Sequence, residues 1–319
     1  MSKLVIQIPC YNEEEELKAT LDEIPKTLEG FDEVEIMIVD DGSTDATVEI
    51  AREYGGIHVV SLPYHMGLAK AFTVGIETAL RRGADVILNT DADNQYCAGS
   101  IPDLVQPILD GKAQMVIGAR PVRTDRNMSL VKRALQVIGS WVVRQASGTD
   151  IADAPSGFRA IHRDAALRLF VYSNYTYTLE TIIQAGRKNI PVVSVPVNVN
   201  PPTRPSRLVR SNLSYVWRSL TTILRILLLY KPLRSFLALA VVLGLFAGVI
   251  GLRFLYFYFM GDGSGHVQSL LAGVALAVIA ALSLTVGIVC DIIAANRLLL
   301  EDIRYRLLKQ ELENTDRKE

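Results

Sequence analysis

The sequence predicts an α/β fold on a largely parallel sheet, followed by an amphipathic helix and two membrane-spanning helices. Over the first 120 residues, short β-type runs alternate with segments of helical length and periodicity. Three polar motifs, IPCYNEE, VDDGSTD and NTDADNQ, each follow one of those runs. Two long apolar stretches stand near the C-terminus. Alternation of strand and helix is the pattern of a parallel sheet covered on both faces. Such sheets bind ligands beyond the carboxyl ends of their strands, where the polar motifs cluster.

Strands are expected at Leu4–Pro9, Glu35–Asp40, Ile57–Leu62, Asp85–Thr90 and Gln114–Gly118, short apolar runs next to turn-forming residues. Helices are expected between them, at Glu13–Leu28 and Gly67–Arg82, and further along at Leu130–Ser147 and Leu179–Arg187. The Pro-rich stretch NPPTRPS, 200–206, breaks the pattern. From Arg207 to Tyr230, helical steps align Arg207, Arg218 and Arg225 opposite Leu213, Val216, Leu220, Ile223, Leu224 and Leu227. Such a helix packs on the domain or lies in the headgroup plane, and its place just before a membrane span favours the interface. Residues 235–259 and 267–290 are each long and apolar enough to cross a hydrocarbon core of roughly 30 Å. The expected division is therefore an α/β domain over 1–203, an interface helix over 204–234, two spans over 235–293 and a tail over 294–319.

The net charge of −1 conceals a split: residues 204–319 carry 14 Lys/Arg against 8 Asp/Glu, and the remainder 19 against 26. The positive part is the membrane part, as an anionic lipid surface favours. No nucleic-acid partner is expected. Met1–Ile8 has no cationic flank or cleavage site and is not expected to be an export signal. Lys231 and Arg234 precede the first span, Arg297, Arg304 and Arg306 follow the second, and Met260–His266 between them has no Lys or Arg. This predicts a two-span protein with its large domain and both termini in the cytoplasm. Cys10, Cys97 and Cys290 have neither metal-ligand spacing nor a disulfide framework.

Asp91 and Asp93, two residues apart at the end of an apolar run, fall on one side of an extended segment. Hard oxygen ligands suit Mg²⁺ or Mn²⁺, which usually keeps waters and bridges phosphates. The plainer reading is a pair of surface acids in a capping loop, and D-x-D alone is a weak signal. Ser43, Thr44 and Asp45 suit a turn and helix cap. That leaves Asp40 and Asp41, either of which could accept hydrogen bonds from a base or ribose.

Taken together, IPCYNEEEEL, DDGSTD, HMGLAKA, DADNQ, GAR and DAPSGFR resemble the family 2 glycosyltransferases, over about residues 3–235. The resemblance is strongest to the polyprenyl-phosphate glycosyltransferases of the dolichol-phosphate mannose synthase group. It implies a GT-A (Rossmann-like) fold and inverting transfer of a hexose from a UDP- or GDP-linked nucleotide sugar to undecaprenyl or dolichyl phosphate. By the same resemblance Pro9, Tyr11, Asn12, Glu13, Asp41, Lys70 and Asp91 bind the nucleotide sugar, and Asp91, Asp93 and Gln95 hold Mg²⁺ or Mn²⁺. Asp153 and Arg120 fall at catalytic positions, and Arg120, Arg204, Ser206 and Arg207 at those for the lipid phosphate or leaving diphosphate. Association into a homo-oligomer is also implied. The sequence departs from the group's usual Leu-Gln-His with Asn94-Gln95-Tyr96, and from its Gly-x-Ser-Lys with RPSRL. The lone His65 is assigned no role.

A lipid monophosphate, whose second pKa is near 6, is already largely ionised and needs positioning rather than a base. Asp153 is accordingly expected to orient a reactant. Two alternatives stand beside this reading. A neutral lipid or polysaccharide acceptor would make Asp153 a general base, and a membrane scaffold with a dead site would need none of the acids. YVWRS, 215–219, lacks the Gln of the processive synthases' Gln-x-x-Arg-Trp motif, and the presence of Asp91, Asp93 and Gln95 speaks against a scaffold.

Overall fold

The run KLVIQIPC forms β1 (Lys3–Cys10), buried from Leu4 onward and hydrogen-bonded on both sides. A strand covered on both faces and both edges reads as one continuous apolar run, which is why its alternation is weak. In this computed structural model, residues 2–121, 130–171, 177–201, 230–261 and 264–316 are described, together with residues 221, 225 and 228. The other strands are β2 (Glu33–Asp40), β3 (Ile57–Ser61), β4 (Val86–Asn89), β5 (Met115–Ala119), β6 (Arg159–His162) and β7 (Val192–Pro196). They form one seven-stranded sheet in the order β3-β2-β1-β4-β6-β5-β7. Among these strands only β6 runs antiparallel to its neighbours, β4 and β5. The chain winds from β1 outward through β2 and β3, then crosses to β4 on the other side, so the order reverses between β1 and β4. Ligand crevices form at such a reversal.

The five expected strands all form, within two residues of their expected ends. Strands β6 and β7 are additions to that set. The four-residue β6, RAIH, carries polar residues at both ends, and β7, VVSVP, is an edge strand closing on a proline. Neither shows a period that stands out locally.

Helix α1 spans only Leu17–Glu23 of the expected Glu13–Leu28, because Ile24 is extended (ψ 127°) before Pro25. Helix α3, Leu68–Arg81, matches its expectation, as do α5, Leu130–Ser147, and α7, Thr178–Arg187. Three further helices of the described residues lie between these: α2 (Thr47–Tyr54), α4 (Ile101–Leu109) and α6 (Arg163–Arg168). One apolar core joins Leu4, Ile6 and Ile8 of β1 to Leu17, Leu21, Leu88, Leu104 and Phe158.

The chain divides into two compact units, Met1–Ser219 with Ile303–Glu319, and Leu220–Asp302. The amphipathic segment 207–230 lies largely outside the described residues. The second unit carries the helix Pro232–Phe259 and most of the helix Val267–Asp316. Both are long and apolar enough to cross a membrane. The second, 50 residues long, far exceeds a hydrocarbon core of roughly 30 Å at about 1.5 Å per residue, so residues expected as a separate tail continue it. Its last turns belong to the first unit. There Leu308 and Leu312 are buried, and Arg304 bonds Glu77 of α3 at 2.6 Å and lies 4.4 Å over the Phe170 ring.

Candidate active site

Three loops at the β1–β4 reversal build the site. After β1, Asn12 takes a left-handed backbone (φ 54°), its side chain accepting Thr44 N–H at 2.8 Å and its amide donating to Ser43 Oγ at 3.0 Å. Glu13 N–H donates to Thr47 Oγ1 at 2.8 Å. The first and second loops are thus stitched side by side. At Gly42 (φ 73°) a β-carbon would meet the backbone of Tyr64 and His65 at 2.6–2.7 Å, so only glycine lets the 62–67 loop close over the second.

The paired acids after β2 have different jobs. Asp40 accepts Ser43 N–H at 2.9 Å and so serves the turn itself. Asp45 accepts the amides of Thr47 and Glu14 and so ties the first loop to the turn before α2, whose N-cap position is taken by Ala46 without a side-chain cap bond. Asp41, 2% exposed, accepts Met66 N–H at 2.7 Å and Gly67 N–H at 2.9 Å, and sits 2.8 Å from His65 Nδ1. Its carboxylate therefore anchors the 65–67 loop. His65 stacks on Tyr11, with ring centroids 3.9 Å apart, and both rings are exposed. His65, to which the sequence assigns no role, is thereby part of a flat aromatic surface at the mouth of the site.

Asp91 follows β4. Burial, then the charge of Asp93, push its carboxyl up to about 7; Arg120 and Arg159 act in the opposite sense and Glu13 in the same one. Glu13, Asp93, Arg120 and Arg159 thus all lie within electrostatic reach of Asp91. Gln95 closes the loop, its amide donating to Asp93 Oδ1 at 3.2 Å and its carbonyl accepting Asn200 N–H at 2.8 Å.

A divalent cation fits these donors. Two hard carboxylates, one of them held partly protonated by its neighbour and its burial, gain what they lack from a double positive charge. Among the described residues no set of three or more His, Cys, Asp or Glu side chains could ligate a metal. A cation here would therefore fill its shell from amide oxygen, water or ligand phosphate, the usual habit of Mg²⁺.

Asp153, 2% exposed, is gripped by Arg120 through a fork: Nε to Oδ2 at 2.7 Å and Nη2 to Oδ1 at 3.1 Å. Burial opposes the Arg120 charge, but Tyr96, Asp153 and Asp91 outweigh it and hold the guanidinium more firmly protonated. The pair fixes the Arg120 guanidinium, its charge balanced by Asp153, within electrostatic reach of Asp91. Pro9 is buried within β1, and Lys70 is exposed on the first turn of α3, where no hydrogen bond or ion pair among the described residues ties its ammonium to the acids. Arg204, Ser206 and Arg207 lie outside the described residues.

Beneath the acids lies a polar network that the motifs did not reveal. Gln7 and Asn89 face each other in register on β1 and β4, Gln7 Nε2 donating to Asn89 Oδ1 at 2.8 Å. Asn89 Nδ2 donates to Gly157 O and to the Tyr177 hydroxyl, each at 2.9 Å. Arg159, fully buried, donates to Ser156 O, Thr178 O and Thr181 Oγ1 and lies 5.2 Å over the Tyr177 ring. The available signal was a polar residue inside an apolar strand, Gln7 in KLVIQIPC, since a buried amide requires partners.

Residues 5–170 match the family model described as glycosyl transferase family 2. The chain is 28% identical over 206 residues to polyprenol monophosphomannose synthase of Mycolicibacterium smegmatis, covering 61% of this chain and 76% of the relative. It is 27% identical over 211 residues to UDP-N-acetylglucosamine–dolichyl-phosphate N-acetylglucosaminyltransferase of Methanococcus voltae, covering 60% and 82%. Among solved structures, glucosyl-3-phosphoglycerate synthase of Mycobacterium tuberculosis, crystallised with Mn²⁺, UDP and phosphoglyceric acid, superposes with a TM-score of 0.53 at 22% identity. That superposition covers 71% of this chain and 78% of the other. The structural likeness speaks for the fold alone.

Proposed function

Because the chain belongs to glycosyl transferase family 2, and with its two apolar helices is a membrane glycosyltransferase, we propose that it moves a hexose from a nucleotide sugar to a polyprenyl phosphate. The transfer takes place on the cytoplasmic leaflet, with inversion at the anomeric carbon. The observation that carries this reading is the fork between Arg120 and Asp153 beside the Asp91 carboxyl.

Both Asp153 oxygens are held by one guanidinium, which fixes the carboxylate in place and occupies both of its oxygens. A neutral hydroxyl acceptor needs a base; a phosphate monoester, already ionised, does not. Arg120 then screens the repulsion between two phosphorylated reactants, and Asp153 keeps its fork in place. Asp91 and Asp93, with Gln95 in the same loop, would hold Mg²⁺ or Mn²⁺, which when bound neutralises charge on the departing nucleoside diphosphate. The Tyr11–His65 surface offers the nucleobase a stacking face, and Asp41 holds that surface by binding the loop behind it. Relatives named for mannose and for N-acetylglucosamine leave the sugar open.

The test is turnover: purified protein, Mn²⁺ or Mg²⁺, a panel of labelled nucleotide sugars, and undecaprenyl or dolichyl phosphate in detergent. Label in an organic-extractable, mild-acid-labile product is expected. Label only in an alkali-stable lipid would point to a neutral acceptor and overturn the proposal.

A further inference from the structure

The Tyr177 hydroxyl carries a proton that the fold does not use. Its ring is 1% exposed and fixed, stacked on Phe72 with centroids 3.9 Å apart and capped by the Arg159 guanidinium. The direction of its hydrogen bond to Asn89 is determined by the neighbours. Gly157 O can only accept, so the Asn89 nitrogen must face it, and that same nitrogen reaches the Tyr177 hydroxyl at 2.9 Å. Gln7 Nε2 on Asn89 Oδ1 secures the same orientation. Tyr177 therefore accepts from Asn89 and keeps its own proton, which makes no hydrogen bond among the described residues.

Glycine at position 157 leaves open the space beside that hydroxyl. A β-carbon there would meet Asp91 Oδ1 at 2.9 Å, Asp91 Oδ2 at 3.0 Å and the Tyr177 hydroxyl at 3.0 Å. Gly157 does not have a positive φ, so close approach alone calls for glycine. Two polar groups converge on the place a side chain would fill: a buried donor with a proton to give, and a carboxylate with lone pairs to take it.

We propose that Tyr177 is a positioning residue for Asp91, donating its phenolic proton to the carboxylate so that the remaining lone pairs turn toward the cation. In the structure the phenol and the carboxylate converge on the same space without this bond; it forms when the site takes up its cation. The inference rests on the reading of Asp91 as a cation ligand, and the experiment separates the two.

Full-length protein in detergent is titrated with Mn²⁺ in the presence of GDP or UDP, with free Mn²⁺ followed by electron paramagnetic resonance. Nucleotide uptake without metal is measured by equilibrium dialysis. Tyr177→Phe keeps the ring packing and is expected to weaken Mn²⁺ binding about tenfold, the effect of one hydrogen bond to a charged group, with metal-free uptake unchanged. Asp91→Asn is expected to abolish the metal-dependent part. If Asp91→Asn does so while Tyr177→Phe binds Mn²⁺ like the wild type, the positioning role is overturned and the cation reading stands. If Tyr177→Phe weakens both measurements equally, its role is structural and the proposal fails. If the wild type shows no metal-assisted uptake, or Asp91→Asn matches it, the cation reading falls and takes the proposal with it. Because phenylalanine deprives Asn89 of an acceptor, Tyr177→3-fluorotyrosine is made in parallel. Its fluorine resonance is expected to move on adding Mg²⁺ with GDP or UDP, and not in the Asp91→Asn background. A fixed resonance overturns the proposal even if the phenylalanine variant does not fold.

Discussion

Asp91 links charge, stability and pH in one side chain. Its carboxyl is raised by burial and by Asp93 from an ordinary 3.8 to about 7. Between those values the folded protein holds a proton that the unfolded chain has released, so metal-free stability falls as pH rises through that window. A cation binds the ionised form and expels the proton. Mn²⁺-assisted nucleotide binding, measured by calorimetry, should therefore strengthen steeply up to pH of about 7 and level off above it. A flat profile from pH 5 to 8 would contradict the assignment of Asp91. Asp153 permits a contrasting test. The proposed role, orienting rather than abstracting from within the Arg120 fork, predicts that Asp153→Asn raises KM for the lipid phosphate while kcat stays within about tenfold of wild type; a loss of about a thousandfold or more in kcat at saturating acceptor would mark a general base. Asp91, Asp93 and Asp153 were legible in the sequence because each stands in a short motif at a strand end or loop. The network of Gln7, Asn89 and Tyr177 was not, although Asn89 itself opens NTDADNQ, because its hydrogen bonds join residues 82–88 positions apart.

Among the elements, the last turns of the second long helix are the least expected. The apolar pattern ends near Cys290, and the residues beyond it have the charged look of a solvated tail. Yet Leu308 and Leu312 are buried, Leu308 shares a cavity wall with Phe72, Ile76 and Leu80, and Arg81 meets Glu311 at 3.2 Å. Burial of the two leucines contributes more than the ion pairs, which are partly exposed and worth about 1 kcal/mol or less each. Leu312→Ala should lower unfolding stability by about 2 kcal/mol. A double-mutant cycle on Arg304 and Glu77 should give a coupling below about 1 kcal/mol. Both are read from denaturation of the detergent-solubilised protein, and a leucine effect smaller than the ion-pair coupling would reverse this ranking. Helix α1 teaches the complementary lesson: its periodicity extends over Glu13–Leu28, but Pro25 and the bonds of Asn12, Glu13 and Glu14 to the second loop trim it to seven residues.

At the level of the whole molecule, the arginine and lysine distribution predicts which side of the membrane each segment meets. Residues flanking the two spans are basic on the domain side, and Met260–His266 has no Lys or Arg. With Cys10, Cys97 and Cys290 replaced by serine, Met260→Cys should react with an impermeant maleimide in intact cells. Lys309→Cys should react only after permeabilisation. The opposite pattern would place the active site outside the cytoplasm.

The sequence by itself determined the class of fold, the first five strands, the two apolar helices and the acid pair at the end of β4. Each of these is written in local period, local composition or the spacing of a few neighbouring residues. The tertiary structure alone decided that β6 enters antiparallel between β4 and β5, that His65 stacks on Tyr11, that Asp40 serves its turn while Asp41 anchors a loop, and that Gly157 leaves room for Asp91 and Tyr177 to converge. The physical reason is the range of the interactions. Backbone periodicity acts over one or two turns, whereas a buried hydrogen bond joins whichever donor and acceptor the sheet order brings together, however far apart they stand in the chain.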